Sequence, residues 1–168
     1  TGDWKFDKTP VLGTDTDKDR LAKLGDEGVL VMVGDSTNAM VEGHTGSETE
    51  ARDGLTNAIG AATGRVAVTC FASNVARIDS IVKAAQENDR SVAIVGRALN
   101  RAISAAREVG YLHDLPEFVP EGDINLLPRE NVVIICTGTQ GEPRAAMAKI
   151  AAGAHETVSL DPGDTVIY

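Results

Sequence analysis

Aromatic residues are scarce in this chain, since Phe, Trp and Tyr together make up only 4% of its 168 residues. Because 42% of the residues are nonetheless hydrophobic, the core of a single domain must rest mainly on Ala, Val, Ile and Leu. The chain has only two cysteines, Cys70 and Cys136, and each stands at the end of an apolar run. That position favours buried, reduced thiols over a disulfide or a catalytic role.

The sequence also has no apolar run of membrane-spanning length and no signal peptide. We therefore predict a cytoplasmic protein without a membrane partner. The chain begins without an initiator methionine and ends on the strand-like run TVIY (165–168), so it resembles a segment of a longer polypeptide.

Basic residues are outnumbered, because 16 Lys and Arg stand against 25 Asp and Glu and give a formal net charge of −9. Such a charge argues against a protein that coats nucleic acid through many basic contacts, although it does not exclude a focused binding site. The charge is unevenly placed: residues 65–110 carry a net +3, while 1–64 and 111–168 carry −6 each. The middle third is therefore the candidate region for contact with an anion.

Several motifs of nucleotide-dependent and metal-dependent enzymes are missing. No GxxxxGK(S/T) loop is present, which excludes a P-loop NTPase, and no GxGxxG follows the first predicted strand, which disfavours a dinucleotide-dependent dehydrogenase. The histidines His44, His113 and His155 are isolated, so a structural or surface role suits each better than metal ligation. The chain also has no nucleophile elbow.

Continuous apolar runs alternate with helical segments along the chain, which is typical of a parallel sheet covered on both faces. We therefore predict an α/β fold, a Rossmann-like three-layer sandwich with a mostly parallel sheet. A short helix begins with Asp17 as its N-cap, and the next begins with Ser47 and Glu50 as a capping box. The predicted strands cover 29–33, 65–70, 91–95, 132–136, 157–160 and 165–168, and the main helices cover 47–62, 74–88, 98–109 and 142–152.

The most informative stretch is VVIICTGTQGEP (132–143), in which an apolar run is followed by a Gly-rich polar turn and a helix-opening Glu-Pro pair. Backbone N–H groups and the helix dipole at such a junction suit a phosphate. Because ligands of open α/β sheets bind at the carboxyl ends of the strands, the loops after the other strands are expected to contribute. The predicted phosphate-binding residues are Ser36, Thr37, Asn38, Ser73, Asn74, Arg97, Gly138, Thr139, Gln140, Gly141 and Glu142.

Two of these predictions have structural alternatives. Ser73 or Asn74 is also a good N-cap for the helix that follows, and the two roles are compatible. Arg97 shares a helical face with Arg101 at a helix start, where a cation opposes the dipole. Either a salt bridge to an acid or a bound phosphate would offset that charge. From the residues alone, we predict a phosphate-binding Rossmann-like domain.

Six segments resemble, in order and approximate spacing, the ribonuclease J family, which belongs to the metallo-β-lactamase superfamily and carries an inserted β-CASP domain. They are TGDWKFDKTP, VGDSTNA, TCFASNVARI, GRALNRA, INLLP and CTGTQGEP. The departures are small: Thr139 replaces the usual Ser, Trp4 replaces the usual Phe, and Cys70 replaces a residue that often carries a hydroxyl. The resemblance implies a lactamase-domain flank with a linker helix at 1–27, a β-CASP domain at 28–160 and the start of a return to the lactamase domain at 161–168.

The resemblance also implies a catalytic chemistry. Asp3 would align with the metal-bridging aspartate of a two-zinc site, and Asp35 with the acidic residue that opens the β-CASP signature set, so both are expected to be catalytic. Because the zinc-binding HxHxDH motif is absent from this chain, the zinc site would be incomplete and the isolated chain inactive.

The implied function is that of the β-CASP domain of a zinc-dependent RNase, a 5′–3′ exonuclease, an endonuclease or both, that binds single-stranded RNA next to the metal site. The implied partners are that RNA and the missing metallo-β-lactamase domain, and the parent enzyme could form a homo-oligomer. One alternative is a stand-alone nucleotide- or phosphate-binding Rossmann-like module without catalysis. Another is a scaffold for subunit contacts, in which the loops serve only as caps.

Overall fold

A computed structural model describes residues 4–168 of the chain. Within that range the chain forms five α-helices and four β-strands, joined by loops and two short 3-10 helices. None of these helices is long and apolar enough to cross a membrane. The helices are α1 (Lys18–Glu27), α2 (Glu48–Ala61), α3 (Val75–Glu87), α4 (Arg97–Glu108) and α5 (Ala146–Ala151), and the strands are β1 (Val66–Thr69), β2 (Ser91–Val95), β3 (Val132–Cys136) and β4 (Thr165–Ile167).

The four strands form one sheet in the order β2–β3–β1–β4, and every pair in it is parallel. All residues of β1 and β3 are buried, as expected for central strands that are covered on both faces. The carboxyl ends of β2 and β3 lie side by side, since Val95 is in register with Cys136. The predicted α/β class and parallel sheet are therefore confirmed.

Two apolar layers enclose the sheet. Helices α2, α3 and α4 pack on one face, where Val133 and Ile135 of β3 join their cluster. Helix α5 and the 3-10 helix at Glu121–Leu126 cover the other face, against Ile134 and Cys136. Because side chains alternate along a strand, β3 contributes to both clusters. The predicted Rossmann-like three-layer sandwich is thus confirmed.

Most element bounds agree with the prediction. Strands β2 and β3 have the predicted bounds, and β1, α2, α3 and α4 differ by one residue at each end. Ser47 and Glu50 form the predicted capping box at α2, and Asp17 caps α1 by accepting the amide of Arg20 at 2.8 Å. Local signals of this kind act within one turn of a helix, which is why the sequence alone is enough to locate them.

The prediction of a strand at 29–33 is wrong. The run forms no strand, and all five of its side chains are exposed, Leu30 fully so. An extended segment becomes a strand only when its backbone pairs with a neighbour, and strand preference depends on packing against that neighbour. In the described part of the chain, the strands of the sheet pair with one another and not with this run. Apolar content alone therefore misled the prediction.

The strand predicted at 157–160 is also absent from the described sheet. Val158 is buried in the apolar cluster on the α5 face, but the backbone around it bonds to side chains. The Thr157 carbonyl accepts from Asn125 Nδ2 at 2.9 Å, and the Ser159 carbonyl accepts from the Arg65 guanidinium at 3.4 Å. Side-chain donors thus satisfy acceptors that a neighbouring strand would otherwise use.

A polar network closes the sheet at the amino ends of β1 and β4. Arg65 is 1% exposed, and its guanidinium donates to the Ile124 carbonyl at 3.3 Å and to Asn125 Oδ1 at 3.2 Å. Asp164 accepts the amide of Arg65 and pairs with the guanidinium of Arg129. Burial opposes the charge of Asp164, but hydrogen bonds from Arg129 and two backbone amides outweigh it and lower the pKa of that carboxyl. This network holds the sheet at the end opposite the candidate site.

Candidate nucleic-acid interface

The carboxyl edge of the sheet opens into a crevice between the ends of β2 and β3. Gly96 is the single residue that joins β2 to α4, and Thr137 begins the loop after β3. The register of Val95 with Cys136 makes Gly96 and Thr137 neighbours. Beyond these residues, α4 packs on one face of the sheet and α5 on the other. Helices that diverge from adjacent strands leave the kind of crevice in which ligands of open α/β sheets bind.

A cavity of about 560 Å³ occupies this crevice. Its volume lies in the range of pockets for small ligands and cofactors. No Phe, Trp or Tyr side chain lines it, while four cationic and two anionic side chains do. Two of the cations belong to α4, one precedes α5, and one lies on α5. The charged lining residues are Arg97, Arg101, Arg144, Lys149, Glu121 and Glu156.

The four cations of this cavity form no ion pair among residues 4–168. Other arginines of the same range are matched by acids: Arg77 pairs with Glu48 at 2.7 Å, and Arg52 pairs with Asp79 at 2.5 Å. The salt bridge considered for Arg97 is therefore absent from the described residues. With two carboxylates against four cations, the cavity keeps a net positive charge.

The loop TGTQG (137–141) is anchored by its second and third residues. Gly138 is buried with a φ of +128°, and a Cβ atom there would lie 2.7 Å from the Cβ atom of Met147. Glycine is the residue that suits both this backbone conformation and this space. The Thr139 hydroxyl lies 2.9 Å from the hydroxyl of Thr69, the last residue of β1. The loop is thus tied to β1 as well as to α5.

The next amides of this loop are satisfied within the loop and by Glu142, the residue that follows it. The Gln140 amide donates to the Glu142 carboxylate at 3.0 Å, and the Gly141 amide donates to the Gly138 carbonyl at 3.1 Å. Glu142 therefore already places an anion where the sequence predicts a phosphate. A phosphate that used the Gln140 amide would have to displace this carboxylate.

Helix α5 begins later than the sequence suggests. The predicted opening at Glu142 is wrong, since the helix starts at Ala146 and has only six residues. Thr137 holds that start against the end of β3, because its hydroxyl accepts the Ala146 amide at 3.3 Å and its carbonyl accepts the Met147 amide at 3.0 Å. The helix dipole therefore lends no support to an anion site in the loop, and the phosphate-binding role of residues 138–142 stays a prediction.

The loop after β1 leads Ser73 and Asn74 to the start of α3. Asn74 is the N-cap, since its Oδ1 atom accepts the Arg77 amide at 3.0 Å, and Ser73 stands directly before it. The capping role is therefore confirmed, while the phosphate contact of both residues stays a prediction. The two cysteines are free and buried, as predicted, and burial raises the pKa of Cys70 to about 11 and that of Cys136 to about 12.

Asp35 lies in a turn and follows no strand. Its carboxylate accepts the hydroxyl and the amide of Thr37 at 2.6 and 2.9 Å, and these hydrogen bonds lower the pKa of Asp35. Ser36 and Asn38 belong to the same exposed turn. None of these four residues lines the cavity beside α4. Of the predicted phosphate-binding residues, only Arg97 lines this cavity, and the structure does not place the 35–38 turn with it.

The predicted metal ligand Asp3 lies outside the described residues. Trp4, the first described residue, donates from its Nε1 atom to the Asp35 carbonyl at 3.2 Å, so the start of the described chain contacts the Asp35 turn. From residue 4 onward, no group of three or more His, Cys, Asp or Glu side chains could hold a metal ion. The two-zinc site implied by the resemblance therefore does not fit residues 4–168 alone.

Three cations of the cavity are absent from the predicted set of ligands, namely Arg101, Arg144 and Lys149. Arg101 carries a visible signal, since it lies one helical turn after Arg97. Arg144 and Lys149 carry no such signal in the sequence, apart from lying a few residues after the TGTQG loop. Their approach to α4 depends on β2 and β3 being neighbours, and the sequence pattern does not specify that strand order.

These features define a Rossmann-like α/β domain with a cationic cavity at the carboxyl edge of a parallel sheet. Residues 63–168 match the family model described as Ribonuclease J, beta-CASP domain. The chain is 45% identical to the ribonuclease J of Sinorhizobium meliloti over 168 residues, which is 100% of this chain and 30% of that protein. It is 42% identical to the ribonuclease J of Synechocystis sp. over 170 residues, which cover 100% of this chain and 26% of that protein. It is 40% identical to the ribonuclease J of Thermus thermophilus over 167 residues, which cover 99% of this chain and 29% of that protein.

The chain therefore belongs to the ribonuclease J family, as the sequence motifs predict. It spans about 30% of the length of the curated relatives it matches. The domain limits at 1–27, 28–160 and 161–168 stay predictions.

Proposed function

We infer that this chain is the β-CASP part of a zinc-dependent ribonuclease J-like enzyme and that it binds single-stranded RNA next to the metal site. The observation that carries this proposal is the match over the whole chain to proteins named ribonuclease J, at 45% identity for the Sinorhizobium meliloti protein. The cationic cavity at the carboxyl edge of the sheet supports it, because RNA is a polyanion.

The proposal divides the work between this chain and the rest of the full-length protein. Residues 4–168 hold no metal-ligand cluster, so the proposal assigns the zinc ligands, apart from Asp3, to the part of the relatives that this chain does not span. Asp35 keeps its proposed catalytic role beside them. The described residues then bind and orient the RNA, and the choice between exonuclease and endonuclease action lies with the complete enzyme. A cytoplasmic location and a homo-oligomeric parent belong to the same proposal.

The experiment that tests this function compares two proteins on one substrate. The chain alone and the product of the complete reading frame are each incubated with 5′-monophosphorylated single-stranded RNA, with zinc or manganese added. We expect cleavage by the complete protein and none by the chain, and we expect a chelator to abolish the cleavage. Robust cleavage by the chain alone would show that the chemistry is misplaced, and no metal-dependent cleavage by the complete protein would refute the ribonuclease assignment.

A stand-alone phosphate-binding module is the competing function. It shares the cationic cavity but predicts that a free nucleotide, and not an RNA strand, is the preferred ligand. It also predicts that the complete protein lacks nuclease activity, so the cleavage assay separates the two.

A further inference from the structure

We propose that the cavity between α4 and α5 holds the sugar–phosphate backbone of the RNA strand, and that Arg101, Arg144 and Lys149 bind its phosphates together with Arg97. This assignment rests on the proposed function, since it names the part of the molecule that would hold the RNA. It moves the RNA contact from the TGTQG loop, whose Gln140 and Gly141 amides are already satisfied, to the crevice beside it.

Unpaired charge on four exposed side chains that line one crevice is the first reason. Acidic residues outnumber basic ones in this chain, yet no acid in residues 4–168 pairs with the four cations of the cavity. Like charges that share a cavity repel one another, and a bound anion offsets that repulsion. Two carboxylates line the cavity, and one of them, Glu121, accepts the Thr157 hydroxyl at 2.7 Å. Together with Glu156, it offsets only two of the four positive charges, so the net charge of the lining stays positive.

The start of α4 is the second reason. This helix has twelve residues, and no side chain caps it at Gly96. Its first-turn amides are therefore not taken by a side chain, and they border the same cavity as Arg97 and Arg101. A phosphate at this position would accept from these amides and from the guanidinium groups, and it would offset the unfavourable position of Arg97 at a helix N-terminus.

The scarcity of aromatic rings in the lining indicates which part of the RNA fits. Among the described residues, His155 is the one ring that lines the cavity, and its Nδ1 atom lies 3.4 Å from the Thr157 amide and 3.3 Å from the Val158 amide. Bases of single-stranded nucleic acid are held chiefly by stacking on aromatic rings. Cationic side chains that contact phosphates position a strand without distinguishing its bases. The cavity therefore takes the backbone of a strand without regard to sequence, in preference to a single nucleotide held by its base.

The test measures how salt affects RNA binding by the complete protein. Fluorescent oligouridylate and oligoadenylate of about ten nucleotides are titrated at salt concentrations from about 50 to about 200 mM, with EDTA present to prevent cleavage. The variants are Arg101→Gln, Lys149→Gln and their double mutant. Lys23→Gln is the matched control, since Lys23 is an exposed lysine of α1 that does not line the cavity.

Each phosphate contact to a single strand contributes about −0.7 to the slope of the logarithm of the association constant against the logarithm of the salt concentration. We therefore expect each cavity variant to reduce the magnitude of this negative slope by about 0.7 and the double mutant by about 1.4, on both oligomers alike, while Lys23→Gln leaves it unchanged. Arg144→Gln, in the exposed turn before α5, gives a third variant if either of the others loses its melting transition.

The outcomes separate the inference from the function on which it rests. If the wild-type protein binds RNA and the cavity variants keep its slope, the RNA backbone does not run through this cavity, although the ribonuclease assignment stands. If the wild-type protein binds neither oligomer, the proposed function fails and takes the inference with it. If a nucleoside triphosphate binds as tightly as the oligomer and loses affinity in the same variants, the ligand is a free nucleotide and the backbone assignment is overturned.

Discussion

Gly138→Ala should destabilise the chain more than any other glycine-to-alanine change in the TGTQG loop. Gly138 is buried with a φ of +128°, a backbone conformation that residues other than glycine rarely adopt. The new Cβ atom would lie 2.7 Å from the Cβ of Met147 and 3.3 Å from the Cβ of Ala145. Both obstacles are Cβ atoms held by the start of α5, so no rotation of a flexible side chain can relieve them.

The magnitude follows from two separate costs. Holding a non-glycine residue in so unfavourable a backbone conformation costs about 1–3 kcal/mol. Inserting a methyl group into a filled site costs about 1–3 kcal/mol more. We therefore expect Gly138→Ala to lower the free energy of unfolding by about 4 kcal/mol, a large part of the stability of a domain of this size. Met147→Ala should not rescue it, because alanine keeps the Cβ atom that causes the closest contact.

Two other glycines give the matched controls. Gly141 has a φ of +73° but open space around it, so Gly141→Ala should cost only about 1 kcal/mol. Gly122 has neither a positive φ nor a neighbour within 4 Å, so Gly122→Ala should stay within about 0.5 kcal/mol of the wild type. Urea unfolding of the four proteins, followed by circular dichroism, measures these differences. A loss below about 1 kcal/mol for Gly138→Ala, or one no larger than for Gly141→Ala, would refute this description of the loop.

Other regions of the fold give three further predictions. Asp164→Asn should cost about 2–3 kcal/mol in urea unfolding, because it breaks a buried pair whose partner Arg129 is partly exposed. The pKa of Asp164 is lower in the folded state than its unfolded-state value near 3.8. The stabilisation that the Asp164 carboxylate gives is therefore present above pH 3.8 and is lost as the pH falls through the folded-state pKa. Asp164→Asn should accordingly lose less stability on acidification than the wild type. Thr139→Val should cost about 1 kcal/mol because it removes the hydroxyl that contacts Thr69, and an unchanged urea midpoint would contradict that interaction. Leu30→Lys should leave the stability of the chain within about 0.5 kcal/mol and reduce its binding of an apolar dye, because Leu30 is fully exposed.

The sequence predicts the buried sheet well, because its information there is local. The runs 91–95 and 132–136 are apolar on both faces, and their bounds agree with β2 and β3. The run 29–33 has a similar composition but does not join the described sheet, so it remains exposed. Strand formation depends on a neighbour, and the composition of one segment carries no information about that neighbour.

The candidate site is predicted only in part, for a related reason. Arg97 is identified because it follows a predicted strand closely, at the edge where ligands bind. Arg144 and Lys149 reach the same cavity because β3 lies beside β2 and α5 packs on the opposite face from α4. The occupied amide of Gln140 also escapes sequence reasoning, since it depends on how Glu142 folds back within the loop.

The central claim is that RNA binds at the carboxyl edge of this sheet, and Arg97→Ala in the complete protein tests it most directly. Arg97 is exposed and has no acidic partner in the described range, and a cation at a helix start opposes the dipole, so the melting temperature should stay the same or rise slightly. Removing one phosphate contact to a single strand weakens the affinity by about fivefold at about 0.1 M salt. We therefore predict that the dissociation constant for single-stranded RNA rises by about fivefold with the fold intact. An unchanged dissociation constant in a folded Arg97→Ala protein would contradict the claim.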